Sequence, residues 1–207
     1  MSWFYHKTHS LNKVNFLTKY SKIKYPISMI IMGIDPGIGI TGYSFVEYIT
    51  SSKGDSFELI TSGSIQTDKT ATHPKRLLEL KTDIDFLIKK YQPDCASSEQ
   101  LFFFKNQKTI IPVAQARGVI LLTLEENSIP MYEYTPLVVK QTITGHGRAD
   151  KSTVKMMVKN YIDLDKNIKL DDTIDSVALA LCHAQNSKFK EEIQWIKLLQ
   201  KRLQFFQ

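Results

Sequence analysis

Apolar positions along the chain fall into short runs with two different periods. Residues 30–35 (IIMGID) form a brief apolar run that ends at an acid and is broken by Asp35-Pro36-Gly37, which predicts a buried strand followed by a turn. Residues 42–49 (GYSFVEYI) and 57–66 (FELITSGSIQ) are rich in β-branched and aromatic residues. The Ser-Ser-Lys-Gly-Asp turn between them predicts a hairpin. The period then changes. Over 74–91, Leu77, Leu80, Ile84, Leu87 and Ile88 share one helical face, with Pro74 early in the helix. Residues 94–99 (DCASSE) predict a shorter strand. Residues 109–126 predict a long apolar helix, with Thr109 as its N-cap and Pro112 in its first turn, where a missing N–H is no loss. Ile129–Tyr134 predicts a strand, and 150–162 and 171–186 two more helices. Three strands, then helix–strand units, define an α/β domain.

In such a sheet, functional groups collect where neighbouring parallel strands end. Asp35 closes the first predicted strand and Glu99 the fourth, so they converge if those strands are adjacent. Residues 171–184 (DDTIDSVALALCHA) bury Ile174, Val177, Ala178 and Leu181. Asp172 and Asp175 are three apart on a flank of that helix, and Asp171 and Asp175, four apart, would serve equally well. Spacing does not choose between them. Acids are also favoured at any helix start by the dipole, and Asp-Pro-Gly is ordinary turn chemistry. It is four carboxylates directed at one sheet end that points to magnesium or manganese. These ions take oxygen ligands, and as a pair they stabilise the attacking and leaving oxygens of phosphoryl transfer.

These segments resemble the RuvC family of Holliday junction resolvases, which have an RNase H-like fold. The matching stretches are GIDPGIGITGYSFVE (33–47), EQLFFFKN (99–106), QARGVILL (115–122), EYTPLVVKQTITGHGRADK (133–151) and DDTIDSVALALCHA (171–184). They keep the family's order and spacing and span most of 30–186. The resemblance implies a five-stranded mixed sheet flanked by helices. It implies a homodimeric, magnesium-dependent endonuclease with two ions per site, manganese substituting, that resolves four-way DNA junctions by paired symmetric nicks. Carried over by position, the catalytic and metal-binding acids are Asp35, Glu99, Asp172 and Asp175, and the alignment is what selects Asp172 over Asp171. The DNA contacts would be Phe102, stacking on a base at the junction centre, with Lys105, Lys140, Arg148 and Lys151. A branch-migration motor would be the partner complex. Ser44, Ser97 and Ser98 depart from the family pattern, which has glycine, small or apolar residues there.

Composition narrows this reading. The 207 residues are 43% hydrophobic and 23% charged, with a formal net charge of +6, compatible with nucleic acid. No apolar run approaches the ~20 residues needed to span a bilayer. Two cysteines without a CxxC pattern argue against a disulfide framework or structural zinc and fit a reducing cytoplasm. Residues 1–28 carry five lysines and no acid. They read as a disordered basic arm or as a misassigned start, with Met29 or Met32 as the initiator. A transit peptide, and so an organellar location, is the alternative, against which the lack of arginine counts. The nuclease domain is expected over 29–186, and 187–207 as an amphipathic tail. The rival readings are another RNase H-like nuclease, a catalytically silent junction-binding module, and an actin-like ATPase, which would need about twice this length.

Overall fold

The computed structural model describes residues 27–51, 54–100, 107–162 and 171–187. Residues 1–26 of the basic arm, the amphipathic tail beyond Ser187 and the stretch 101–106 lie outside these residues, while Ile27 and Ser28, expected in the arm, belong to the first strand. Strands β1 (Ile27–Asp35), β2 (Ile40–Ser51), β3 (Gly54–Gln66), β4 (Cys95–Glu99) and β5 (Met131–Tyr134) form one sheet in the order β3-β2-β1-β4-β5. β2 runs antiparallel to β1 and β3, whereas β4 runs parallel to β1, and β5 parallel to β4. The hairpin strands meet through short turns. The parallel pairs need crossovers, which the helices α1 (His73–Tyr91) and α2 (Gln107–Glu126) provide. The chain then forms α3 (Pro136–Thr144), α4 (Lys151–Tyr161) and α5 (Asp171–Asn186).

Strand alternation sorts the side chains into two layers. Met32, Ile34, Phe45 and Ala96 point to one face and pack with Leu80, Ile84 and Ile88 of α1 and Ala116, Ile120 and Leu124 of α2. Ile31, Val46, Tyr48 and Cys95 point to the other face, under Ile174, Val177, Ala178 and Leu181 of α5. With a period of two, Gly33, Asp35, Ser97 and Glu99 belong to the α5 face.

Two local predictions need correction. α2 begins at Gln107 rather than after a Thr109 cap, so Pro112 lies past the first turn, inside the helix. It removes one ladder bond near the helix start, where tertiary burial of Ala116 and Ile120 outweighs the loss. Helix α3 was not expected from hydrophobic period, since nine residues offer too few repeats. Its punctuation is plain, however. The Thr135 side chain accepts from Val138 N at 3.2 Å, Pro136 opens the first turn, and Gly145 closes the helix at φ 75°.

Candidate active site at the sheet end

The carboxylates meet because β1 and β4 are adjacent and parallel. Their last paired residues are Ile34 and Ser98, so Asp35 and Glu99 follow side by side at the same edge and on the same face. Helix α5 crosses that face in close contact. A Cβ on Gly33 would lie 1.9 Å from the Ser176 carbonyl oxygen and 2.7 Å from Ser44 Oγ. Glycine is required at this position for space, and the contact sets Asp175, next to Ser176, over the strand that carries Asp35. Asp172 lies in the first turn of α5, and its side chain is outside the described part of the structure.

Glu99 registers this crowding. Burial pushes its carboxyl above the usual range, and the nearby charges of Asp35 and Asp175 push it further. Lys140 and Lys151 pull it back only in part. Lys151 Nζ lies 2.8 Å from Asp175 Oδ2. Its helix is fixed by Asp150, which caps α4 by accepting from Thr153 N at 2.7 Å and from Ser152 Oγ at 2.9 Å. Those bonds hold the Asp150 carboxyl down at about 2. The predicted residues Asp35, Glu99, Asp175, Lys140 and Lys151 are therefore neighbours. Arg148 is exposed in the loop between α3 and α4. Phe102 and Lys105 lie outside the described residues.

The donor set suits a hard divalent cation. It offers carboxylate oxygens at a half-buried strand end with more negative charge than the two lysines offset, which is the imbalance a cation relieves. Among the described residues, no three of these groups already converge at ligating distance on one point, and Asp175 faces Lys151 instead. His183 takes no part. It is buried, accepts or donates at Nδ1 to Tyr134 Oη at 2.8 Å, and stacks on Tyr132 at 4.3 Å. Burial lowers its pKa to about 4, so the ring is neutral near pH 7.

Directly behind the carboxylates, one row crosses the sheet: Ser62 pairs with Ser44, Ser44 with Gly33, and Gly33 with Ser97. The three serine hydroxyls are buried without a partner among the described residues. The serines that break the family pattern at 44 and 97 therefore sit one row beneath Asp35 and Glu99. In the sequence alone these serines are no more than departures from that pattern.

Comparison with known proteins identifies the family of this fold. The family profile described as "Crossover junction endodeoxyribonuclease RuvC" matches residues 31–183. The protein of that name from Caldicellulosiruptor saccharolyticus is 47% identical over 159 residues, covering 77% of this chain and 94% of that protein. The solved RuvC of Thermus thermophilus superposes with a TM-score of 0.71 at 28% identity, over 78% of this chain and 97% of that one. The same enzyme solved in complex with a Holliday junction substrate also gives 0.71, at 26% identity, covering 78% and 96%. Membership of this nuclease family implies a divalent metal cofactor. On sequence and fold, the chain belongs to the family of RuvC crossover junction endodeoxyribonucleases.

Proposed function

We propose that this protein resolves four-way DNA junctions by magnesium-dependent hydrolysis, with Asp35, Glu99, Asp172 and Asp175 as the catalytic and metal-binding acids. The observation that carries the proposal is Glu99, a half-buried carboxylate at a strand end beside the charges of Asp35 and Asp175, in a chain of this family. It accords with the Thermus thermophilus relative solved with a Holliday junction substrate. The cation, when bound, supplies Lewis-acid stabilisation of the phosphate and of the attacking oxygen. The remaining work falls to the chain's own groups. The carboxylates hold their negative charge at a half-buried sheet end, where they would ligate the cation. Lys140 and Lys151 restrain that charge, and with Arg148 they meet the DNA backbone, where contacts position rather than specify. Phe102 and Lys105, beyond Glu99, meet the junction centre, and Phe102 stacks on an opened base.

Two copies act together, making one nick each. α2 carries an exposed stripe at helical spacing, with Ile111 65% and Leu122 56% exposed, Ala114 and Gln115 also exposed, and Gly118 facing open space. A helix apolar on its outer side as well as its inner side asks for a second partner. Two-fold symmetry matches that of the junction. The nuclease unit over 29–186, the basic arm, the cytoplasmic setting and a branch-migration motor as partner rest on the sequence reading and the family resemblance. The test is a cleavage panel with magnesium. Four-way junctions should be nicked far faster than duplex DNA or an RNA–DNA hybrid, and L122D should sediment as a monomer. Equal cutting of all three substrates would point to a general RNase H-like nuclease instead.

A further inference from the structure

We infer that Arg76, in the first turn of α1, is a positioning residue for the reaction, holding the loop through which the chain leaves Asp35. The inference rests on Asp35 serving the cutting site, as proposed above. Residues 36–39 join Asp35 to β2, and this turn is tight. A Cβ on Gly37 would lie 2.2 Å from the Ile40 carbonyl oxygen. Its polar groups are pinned at three points. Thr41 Oγ1 accepts from Gly37 N and donates to Gly37 O. Thr67 Oγ1 donates to Ile38 O at 2.5 Å, and Thr67 N donates to Gly39 O. Arg76 completes the set. Its Nε donates to Thr67 Oγ1 at 2.9 Å and its Nη2 to Ile38 O at 3.1 Å.

Of these anchors only Arg76 comes from outside the β1–β2–β3 strands and their ends. It ties the turn to the helix layer opposite α5. Asp35 is thus braced from two sides, by the contact of Gly33 with Ser176 and by Arg76. Local helix physics does not favour an arginine here. A cation in the first turn faces the positive end of the helix dipole, and no acid occupies that turn to offset it. The bonds to Thr67 and Ile38 give the residue its reason. They use the planar fork of a guanidinium, which lysine cannot reproduce with both acceptors at once.

The test compares full-length wild type with R76A, R76K and T67V. It measures nicking of a four-way junction against magnesium concentration, manganese affinity by titration, junction affinity without metal, and melting temperature. R76A should bind manganese about tenfold more weakly and nick about tenfold or more slowly, as losses of ligand support do, with junction affinity within about twofold. R76K and T67V should shift the same way by less. Millimolar methylguanidinium should restore part of the R76A nicking and none of that of D35N. Retention of wild-type metal affinity and rate in R76A overturns the inference. So does a loss that follows only the unfolded fraction, without rescue. If R76A does not fold, R76K and T67V decide by the same criteria. Should wild type fail to cut junctions at all, the functional reading falls, while weaker manganese binding by R76A would still uphold the positioning role.

Discussion

Replacing Asp35 by asparagine should stabilise the metal-free protein while removing its activity. Adjacent strands lie about 4.8 Å apart, so carboxylates that end neighbouring strands can be taken as roughly 5–6 Å from each other. At an effective dielectric of about 20, two like charges at that distance repel by roughly 3 kcal/mol. Lys140 and Lys151 offset part of this and solvent screens more, leaving about 1–2 kcal/mol. For a domain of this size each kcal/mol moves the melting temperature by about 2–4 °C, so D35N should melt about 2–8 °C higher than wild type in EDTA. Magnesium should close or reverse the gap, because a cation bound only by the folded state stabilises by mass action. The pH dependence has a definite sign. Glu99 titrates above its usual range when folded, so the folded state takes up its proton more readily than the unfolded chain. Metal-free wild type therefore gains stability as pH falls through the interval above the ordinary carboxylate value of about 4.3, and loses it as pH rises. D35N should gain less. Calorimetric scans with and without magnesium measure all of this. A lower melting temperature for metal-free D35N would refute the reasoning, because it would mean that Asp35 is held by favourable contacts and not crowded by Glu99.

Other outcomes follow from single residues. S97A should raise the melting temperature by a few degrees, since it removes a buried hydroxyl that has no partner among the described residues, at a cost of about 1–3 kcal/mol; a drop would show that Ser97 is satisfied in solution. His183 is depressed to about 4 when folded, so its contribution is intact above about 6.5, the unfolded value, and is lost as pH falls toward 4, at most about 3 kcal/mol. A His183→Asn protein should show a flatter stability profile over that range, and an unchanged slope would remove His183 from the acid response. D172N and D175N should abolish nicking while D171N keeps most of it, which strand-specific gels would read; the reverse pattern would shift the register by one. A chain starting at Met29 should fold and cut. One starting at Met32 loses Ile31, which is fully buried and pairs with both Val46 and Cys95, and should melt well below it; equal melting would show that β1 does not need its first half.

The sheet and most helices were legible because their signals are local. An apolar run marked β1, β-branched and aromatic enrichment around a turn marked β2 and β3, and helical spacing marked α1 and α5. Asp35 and Glu99 were legible as strand-end acids, one after an apolar run and one after the weaker DCASSE strand, while their meeting depended on β1 and β4 being adjacent, which only the sheet order supplies. Helix α3 was missed for want of length, although Thr135-Pro136 and Gly145 punctuate it. The choice between Asp171 and Asp172 could not come from helix geometry, since both spacings place an acid beside Asp175. Arg76 carried no signal at all. Its partners Ile38 and Thr67 are 38 and 9 residues away, and a first-turn arginine looks like a surface charge until the fold brings the turn beneath it. The serine row was equally silent, because its meaning depends on register across four strands.

The most direct measurement maps nicks on a mobile four-way junction labelled in turn on each of its four strands, with magnesium, for wild type and E99Q. Wild type should cut two strands of like polarity at symmetric positions, and E99Q should bind the junction and leave every strand intact. Unpaired or asymmetric nicks by wild type, or symmetric nicks retained by E99Q, would contradict the assignment of this sheet end as a junction-resolving site.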